Sequence, residues 1–504
     1  MKKFKKYLCW FIVICVIIEM LCFPSIDNAL ICLLALIVTF EFCIVVNEDV
    51  FLKHTFSFWA YFTLFAYRFF PIFGTLLDGN PVTIGFINAF DVFVAETITF
   101  SIATLAFYFC SKRNSNTFLT RLYYKLGWFN KLSIQSYWIL GFIGLFLGLG
   151  SKFVQNPELS KIISTISVFR YSPICLLFPS LTGIKIESKR KIIWYICLLL
   201  GISFTSGSRQ VLLYPICTYI LLYILDCGLS HRTIFSSYST PKKIFLFSIL
   251  LLGPLVFERV SLAMLASRSV VFDKSKSAMD VVSATIENFQ DGEKLKSVSD
   301  EMFAIVDKNA NKDVTQWEEK YVSNSFLNRY CNLKLTDQTF YRLKYVGLHN
   351  GKMYENFITN NTILIFPSPI LHLFGINIEK EMYDYSPGDL LFSLSSGSSI
   401  YSSHVVTSHV ADGLATFGYI YFPIQFFIWL LLFCMIDSFI LKKGGTVSFS
   451  LYGLVSIFTF FGLTRAASGC GSELYYCLRL YWNGIFGIFL AFGLLKVCQS
   501  FLKQ

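Results

Sequence analysis

The sequence predicts an all-α, polytopic membrane protein with about twelve transmembrane helices and one long outward loop. Of the 504 residues, 55% are hydrophobic and 15% are charged, whereas about a quarter of a soluble domain is charged. Apolar runs long enough to cross a bilayer recur along the chain. Lys and Arg cluster in the short segments between these runs, as they do in cytoplasmic loops.

The apolar runs set the predicted organisation to within a few residues at each boundary. They fall at 7–23, 29–46, 55–74, 88–110, 134–151, 163–183, 192–206, 210–226, 244–262, 411–440, 448–465 and 474–497. They divide the chain into residues 1–265 with spans one to nine, a large outer loop over 266–410, and residues 411–504 with spans ten to twelve.

Loop charge predicts the orientation of these spans. Basic clusters occur at Lys2–Lys6, between Lys112 and Lys131, at Lys185–Lys191, between Arg232 and Lys243, and at Lys442–Lys443. If the spans alternate, every cluster lies on one side, which is then cytoplasmic together with both termini. The formal net charge of +11 fits contact with anionic lipid head groups better than it fits nucleic acid.

Cofactor and metal motifs are absent from the sequence. It contains no P-loop, no dinucleotide fingerprint, no HExxH and no Cys/His spacing typical of a zinc site, so we expect neither a metal nor another cofactor. Cys331 and Cys470 are the cysteines most expected outside, where a disulfide between them is an alternative to two free thiols. An enzyme of this shape would take its substrate from the membrane or the outer aqueous face.

Arginines near the outer ends of the spans are the most informative polar residues. They are Arg68, Arg170, Arg209, Arg259, Arg465 and Arg479. Their position opposes the positive-inside rule, and ionisable groups in spans mark functional sites by default. A guanidinium offers a bidentate fork that suits a lipid-linked diphosphate. Alternatively, each arginine extends to the interface or pairs with a buried acid such as Glu19 or Glu96.

Arg209 has the most specific sequence setting. It ends the small-residue turn Ser206-Gly207-Ser208-Arg209 between two short spans. Backbone amides and a helix N-terminus at such a turn favour an anion. A plain turn capped by Ser206 or Ser208 is the alternative.

A second polar cluster, His404, His409 and Asp412, lies where the long loop re-enters the membrane. A neutral histidine or a carboxylate there is a candidate general base toward a sugar hydroxyl. His409 and Asp412 share a face if the span begins as a helix, because they are three residues apart. The alternative is that the histidines are ordinary polar residues of the interface.

These motifs resemble those of the O-antigen polymerase (Wzy) family. The turn ending at Arg209 is similar to that family's Ser-Arg turn. The stretch from Asp412 to Phe417-Gly418 resembles its acidic-x-x-x-x-Phe-Gly stretch, with Asp412 where a glutamate is commoner. Phe366-Pro367-Ser368 resembles a proline segment in which an arginine often follows, and Ser368 departs from that pattern.

The resemblance implies a GT-C-like membrane glycosyltransferase of lipopolysaccharide biosynthesis in the bacterial inner membrane. An undecaprenyl-diphosphate-linked oligosaccharide would be transferred to the next lipid-linked repeat unit at the outer leaflet, without metal or nucleotide. Membrane lipids and a chain-length regulator protein are the other implied partners, and nucleic acid is not. The arginines would neutralise the leaving diphosphate, and His409, Asp412 or, less favoured, His404 would be the base. The alternatives are an O-antigen ligase and a lipid-linked oligosaccharide flippase or other transporter.

The predicted topology is testable by cysteine-accessibility labelling. Lys189 and Lys443 should be cytoplasmic and position 316 should be outside, because the basic clusters fix the alternation. A cytoplasmic label at Gln316 would contradict the outer-face site.

Overall fold

The computed structural model describes most of the chain. The described residues are 2–113, 115–150, 154, 157–204, 209–233, 253, 255–267, 270, 278–298, 321–328, 330–331, 333–366, 368–383, 385–397, 405–465 and 468–501. Across them the chain is predominantly helical, with one two-stranded hairpin.

The amino-terminal half is a series of helices of unequal length. They are α1 (Lys2–Cys22), α2 (Ile26–Val45), α3 (Glu48–Lys53), α4 (Thr55–Phe69), α5 (Pro71–Leu77), α6 (Ala89–Ser111), α7 (Phe118–Lys125), α8 (Ile134–Gly150), α9 (Pro157–Ser167), α10 (Ser172–Cys175), α11 (Pro179–Thr182), α12 (Arg190–Phe204) and α13 (Arg209–Leu229). A 3₁₀ turn, Val168–Tyr171, joins α9 to α10.

The carboxy-terminal half begins with short helices from the predicted loop. The elements are α14 (Ala278–Gln290), α15 (Ser325–Asn328), α16 (Leu333–Val346), α17 (Gly351–Ile358), α18 (Ser368–Leu373), α19 (Pro387–Ser396), α20 (His409–Phe417), α21 (Tyr421–Ile436), β1 (Ile440–Lys443), β2 (Thr446–Phe449), α22 (Leu451–Val455), α23 (Ile457–Phe461), α24 (Ser472–Tyr475) and α25 (Tyr481–Phe501). One π-helical turn, Thr359–Ile363, follows α17, and a second, Tyr476–Leu480, precedes α25. Strands β1 and β2 pair antiparallel, with Ile440 opposite Phe449.

Several of the described helices have the length and composition of membrane spans. Five segments are long and apolar enough to cross a bilayer: Ile26–Val45, Ala89–Ser111, Val211–Leu229, His409–Phe439 and Ser472–Phe501. The pair α4–α5, bent by 41°, makes a sixth if it is one span. An all-α membrane protein is therefore the architecture, and the count of twelve spans stays a prediction.

Some predicted spans are interrupted. The predicted span 163–183 is divided among α9, a 3₁₀ turn, α10 and α11, and the span 448–465 is divided between α22 and α23. Helix α8 is apolar but has 17 residues. Most of the predicted span 244–262 lies outside the described residues. Average hydropathy does not reveal such breaks, because a single polar residue such as Arg170 or Ser456 changes the mean of a long apolar run little.

If the spans alternate in direction as predicted, several helix ends fall on the same side of the membrane, and these ends contact one another in the fold. His54 precedes α4, and its Nδ1 lies 2.8 Å from Oδ2 of Asp437, which follows α21. The Asn116 side chain donates to the Lys442 carbonyl at 2.8 Å and accepts from its N–H at 2.9 Å. The chain therefore brings one end of α4, α6 and α21 together beside the hairpin.

Stacked aromatic rings fill the centre of the helix bundle. The Tyr61 ring stacks on Phe107 with centroids 4.4 Å apart and on Phe100 at 5.2 Å. Phe42 stacks on Phe65 at 4.9 Å. All these rings are buried, and the hydroxyl of Tyr61 meets Thr104 at 2.8 Å. Aromatic packing thus holds α2, α4 and α6 together while satisfying the one polar atom of the stack.

Helix α16 from the predicted loop lies against the start of α6. The Asp337 carboxylate accepts the backbone N–H groups of Ile87 at 3.0 Å and Asn88 at 2.7 Å. Burial raises the pKa of the Asp337 carboxyl, and these two donors and Lys334 act in the opposite direction. A loop carboxylate therefore satisfies amides at the start of a span.

A buried ion pair connects two spans to this loop helix. Arg68 Nε donates to Glu96 Oε2 at 2.5 Å, and both side chains are 0% exposed. The other Glu96 oxygen accepts the hydroxyl of Thr336 on α16 at 2.9 Å. For Arg68 the alternative to diphosphate binding, pairing with a buried acid, is therefore the one observed. Its partner, Glu96, is one of the two acids named in the prediction.

Removing one member of this pair should destabilise the protein strongly. We expect Arg68→Ala to lower the free energy of unfolding by about 3–5 kcal/mol, since Glu96 would remain as an uncompensated buried charge. The exposed Arg121 supplies the control, whose alanine variant should stay within about 0.5 kcal/mol of wild type. The double variant Arg68→Met/Glu96→Leu should be more stable than Arg68→Ala. Unfolding in detergent micelles measures all three, and equal effects of Arg68→Ala and Arg121→Ala would contradict this role.

Candidate active site

A cavity of about 440 Å³ lies where the loop helices meet the starts of α20 and α24. Its polar lining consists of one carboxylate, one guanidinium, two amides, hydroxyl groups and glycine backbone. These residues are Asn356, Asn361, Asp412, Thr416, Gly462, Arg465, Ser468, Gly469, Gly471, Ser472, Tyr475 and Tyr476. Met353, Phe357, Pro387, Leu463 and Leu480 supply the apolar walls. A cavity in which polar groups converge between apolar walls is typical of a ligand site.

A tight turn around Cys470 holds the carboxylate of Asp412. The Cys470 N–H donates to Asp412 Oδ2 at 2.8 Å. A Cβ atom on Gly469 would lie 2.9 Å from that oxygen, and one on Gly471 would lie 2.4 Å from the Asn361 amide. The glycines therefore let the backbone approach both polar side chains closely.

Two π-helical turns contribute residues to the cavity wall. Asn361 belongs to the turn Thr359–Ile363, whereas Tyr476 and Leu480 belong to the turn Tyr476–Leu480. Arg479 in the second turn donates through Nη1 to the Leu364 carbonyl at 3.4 Å, just beyond the first turn. Such turns are rare and often occur at functional sites.

His409 lies behind the cavity wall in a buried hydrogen-bond network. Its Nε2 lies 2.8 Å from Glu473 Oε2, and its Nδ1 lies 2.6 Å from the Tyr421 hydroxyl. The ring stacks on Trp429, and the Gln425 amide lies 3.3 Å from Nε2. In the tautomer that carries its proton on Nε2, the ring donates to Glu473 and Nδ1 accepts from the Tyr421 hydroxyl. Both ring nitrogens are thus engaged, and the residue is fully buried.

Ser472 connects this network to the cavity. Its hydroxyl donates to Glu473 Oε2 at 2.9 Å, and Ser472 is part of the cavity lining. A continuous polar series therefore runs from the cavity through Ser472 and Glu473 to His409. His409 acts through other groups in this arrangement, whereas Asp412 on the same helix lines the cavity directly.

The structure brings Arg465 and Arg479 to this region. Arg465 is exposed at the cavity edge, where its Nε donates to the Gly462 carbonyl at 3.2 Å. The Arg479 guanidinium lies 5.8 Å from the ring centroid of Tyr475, which lines the cavity. Arg465 lines the same cavity as Asp412, whereas the described contacts of Arg479 are to Leu364 and Tyr475 at the cavity wall.

The other predicted arginines contact different parts of the fold. Arg68 is paired with Glu96. The Arg170 guanidinium lies 4.9 Å from the Tyr171 ring centroid, and Arg259 donates to the Phe289 carbonyl at 3.1 Å. Arg209 begins α13, but its side chain and residues 205–208 lie outside the described part of the chain, as does His404. The described contacts do not gather the arginines into one ring.

No protein-family model, no curated protein and no solved structure matches this chain.

The sequence prediction missed Glu473 and Tyr421 of the buried network, as well as several residues of the cavity lining, namely Asn356, Asn361, Ser472 and Tyr475. Glu473 is an acid at the start of an apolar run, and an ionisable residue in that setting signals function or pairing. Tyr421 gave no such signal, because tyrosine is common near membrane boundaries. Cys331 and Cys470 are both free thiols, so the alternative without a disulfide is the one observed.

The cavity can position a neutral polar molecule beside an anion. Asn356, Asn361 and Tyr475 offer hydrogen bonds and a ring face for sugar hydroxyls and apolar sugar surfaces. Asp412 can accept a proton from a hydroxyl, and Arg465 can neutralise a negatively charged group. The arrangement therefore suits a reaction in which a hydroxyl loses a proton while an anion leaves.

Close packing of α20 on α21 should be essential for this site. A Cβ atom on Gly413 would lie 2.1 Å from the Tyr421 ring, whereas one on Gly493 in α25 would meet no atom within 4 Å. We expect Gly413→Ala to lower the unfolding free energy by about 1–3 kcal/mol through overpacking, and Gly493→Ala to be neutral or slightly stabilising. Thermal unfolding in detergent measures both, and equal midpoints would show that Tyr421 is not fixed by this contact.

Proposed function

We propose that this chain is a membrane glycosyltransferase that polymerises oligosaccharide repeat units carried on undecaprenyl diphosphate. The observation that carries the proposal is that Asp412 and Arg465 line one cavity together with amide, hydroxyl and aromatic groups. This is the combination that an acceptor hydroxyl and a leaving diphosphate require. The resemblance of the stretch from Asp412 to Gly418 to O-antigen polymerases supports the same reaction.

Asp412 is the general base of the proposed reaction. Its Oδ2 is held by the Cys470 N–H, which fixes the direction of the carboxylate toward the cavity. A carboxylate fixed in this way can receive the proton of an acceptor hydroxyl as that oxygen begins to form a bond. His409 is a positioning residue here, since it holds Glu473 and does not contact the cavity itself.

Arg465 binds the diphosphate in the proposed reaction, and Arg479 adds positive charge beside it. The guanidinium of Arg465 stands at the exposed edge of the cavity, where a lipid-linked group can approach from the bilayer. Its planar fork matches two phosphate oxygens. Positive charge at this point stabilises the negative charge that develops as the donor bond breaks.

The bond changes balance without a further reactant. The acceptor oxygen forms a bond to the anomeric carbon of the lipid-linked donor glycan. The bond from that carbon to the phosphate oxygen breaks, and the electron pair leaves with undecaprenyl diphosphate. The acceptor proton passes to Asp412 and then to water. One longer lipid-linked glycan and one undecaprenyl diphosphate result from each transfer.

A reconstituted reaction tests the proposal. The full chain in proteoliposomes, supplied with an undecaprenyl-diphosphate-linked oligosaccharide, should release undecaprenyl diphosphate and form longer lipid-linked glycans, both measured by mass spectrometry. Asp412→Asn should slow the initial rate by about 10²- to 10⁴-fold, as expected for loss of a general base. The exposed Asp91 at the start of α6 gives the matched control, and Asp91→Asn should keep the wild-type rate.

The arginine and histidine variants separate charge, geometry and positioning. Arg465→Lys should lose most of the rate although it keeps the charge, because an ammonium group cannot reproduce the fork. His409→Gln should reduce the rate less than Asp412→Asn does. Normal polymer from Asp412→Asn, or glycan transport without bond cleavage by wild type, would contradict the proposal. In a deletion strain, lipopolysaccharide with single repeats indicates a polymerase, whereas loss of all attached O-antigen indicates a ligase.

A further inference from the structure

Three potential metal ligands converge at the end of the bundle opposite the cavity, and a fourth lies beside one of them. His54 Nδ1, Cys110 Sγ and Asp437 Oδ2 all lie within 4.8 Å of one another, and all three residues are buried. Cys434 Sγ lies 3.7 Å from Cys110 Sγ. Cys434 and Asp437 are three residues apart at the end of α21, so they occupy one helix face.

The donor separations from Cys110 approach those of a tetrahedral zinc site. Bonds of about 2.0–2.3 Å to nitrogen, oxygen and sulfur place tetrahedral donors about 3.3–3.8 Å apart. The two thiols are 3.7 Å apart, and Cys110 Sγ lies 4.0 Å from Asp437 Oδ2. The 2.8 Å between His54 and Asp437 is a hydrogen bond. It would lengthen by about 0.5 Å when an ion replaces the shared proton.

We propose that His54, Cys110, Cys434 and Asp437 bind one zinc-class divalent ion. Thiolate and imidazole ligands favour zinc over the harder magnesium and calcium ions, which prefer oxygen. A cavity of about 20 Å³ lined by all four residues adjoins the cluster, and this volume accommodates a single small species. The ion would tie together the ends of α4, α6 and α21.

The surrounding charges match such a centre. Two thiolates and one carboxylate carry one more negative charge than a divalent ion neutralises. Lys442 Nζ lies 2.9 Å from His54 Nε2, and Arg113 Nη1 lies 3.6 Å from Cys434 Sγ. These cations offset the excess negative charge, and Arg113 contacts one thiolate from outside the ligand set. Lys442 would move away from Nε2, because that nitrogen carries the proton once Nδ1 binds the ion.

A purely structural network makes a different prediction. Asp437 also accepts the N–H of Ser57 at 3.0 Å and its hydroxyl at 2.5 Å, so it caps the start of α4 whether or not an ion binds. That role needs Asp437 and leaves both thiols unused. Dependence of ion binding on Cys110 and Cys434 therefore distinguishes a metal site from a helix cap.

Zinc titration of the purified full chain tests the site directly. The protein in detergent with a non-thiol reductant is stripped with a chelator and titrated with Zn²⁺ against a chromophoric competitor. We expect one tightly bound ion per chain and a loss of affinity of at least about 100-fold in Cys110→Ser and Asp437→Asn, since even a group behind the ligands contributes that much. Cys43→Ser is the matched control, because Cys43 and Cys9 form another close thiol pair, 3.2 Å apart. Its affinity should equal that of wild type.

A measurement on wild-type protein covers the case in which a variant fails to fold. Stoichiometric Zn²⁺ should slow alkylation of Cys110 and Cys434, measured by peptide mass spectrometry, and leave Cys9 and Cys43 unchanged. Three outcomes would each overturn the proposal. They are a wild-type Zn²⁺ affinity in a folded Cys110→Ser variant, equal losses of Zn²⁺ affinity in Cys110→Ser and Cys43→Ser, and no protection of Cys110 and Cys434 from alkylation.

Discussion

The buried ion pair between Arg68 and Glu96 is the interaction on which the arrangement of the described chain depends. A charge without a partner is very unfavourable inside an apolar bundle, so α4 and α6 must stand where these groups meet. Glu96 also accepts Thr336 from the long loop. The need to pair the two buried charges inside the bundle therefore also fixes the position of α16, which carries Thr336, outside it.

The position of that helix decides where the cavity lies. Asp337 on α16 accepts the two backbone amides that immediately precede α6. The following loop helices pack against α20 around Met353, Leu390 and Leu414. Asn356, Asn361 and Pro387 of the loop then face the chain near Arg465 and Tyr475. The candidate site is thus formed by segments that are far apart in sequence but are placed by a few polar contacts.

The helical membrane character was predictable, because composition and apolar run length depend only on the residues themselves. The interruptions were not, since a break such as the one between α22 and α23 depends on packing and leaves hydropathy unchanged. Pairing of Arg68 with Glu96 was foreseen as an alternative, but which arginine would line a cavity was not. The four potential zinc ligands are distributed between residues 54 and 437, so no local spacing could have indicated them.

His409 and Asp412 show how neighbours divide the roles of two residues on one helix. The sequence placed both on a shared face, which α20 allows. Glu473 and Tyr421 occupy both nitrogens of His409, whereas a backbone N–H holds one oxygen of Asp412 at the cavity. These partners make His409 a supporting residue and leave Asp412 available to a substrate. The spacing of the two residues could not predict the partners.

The π-helical turn Tyr476–Leu480 has a consequence for the descent of the protein. Such a turn arises when a helix accommodates one inserted residue, and that insertion rotates the preceding residues by about 100° relative to those that follow. Tyr475 and Tyr476 face the cavity in this register. An ancestor lacking the extra residue would have directed these side chains elsewhere. In an alignment of related chains, those with a one-residue gap at 476–480 would therefore lack this wall of the cavity.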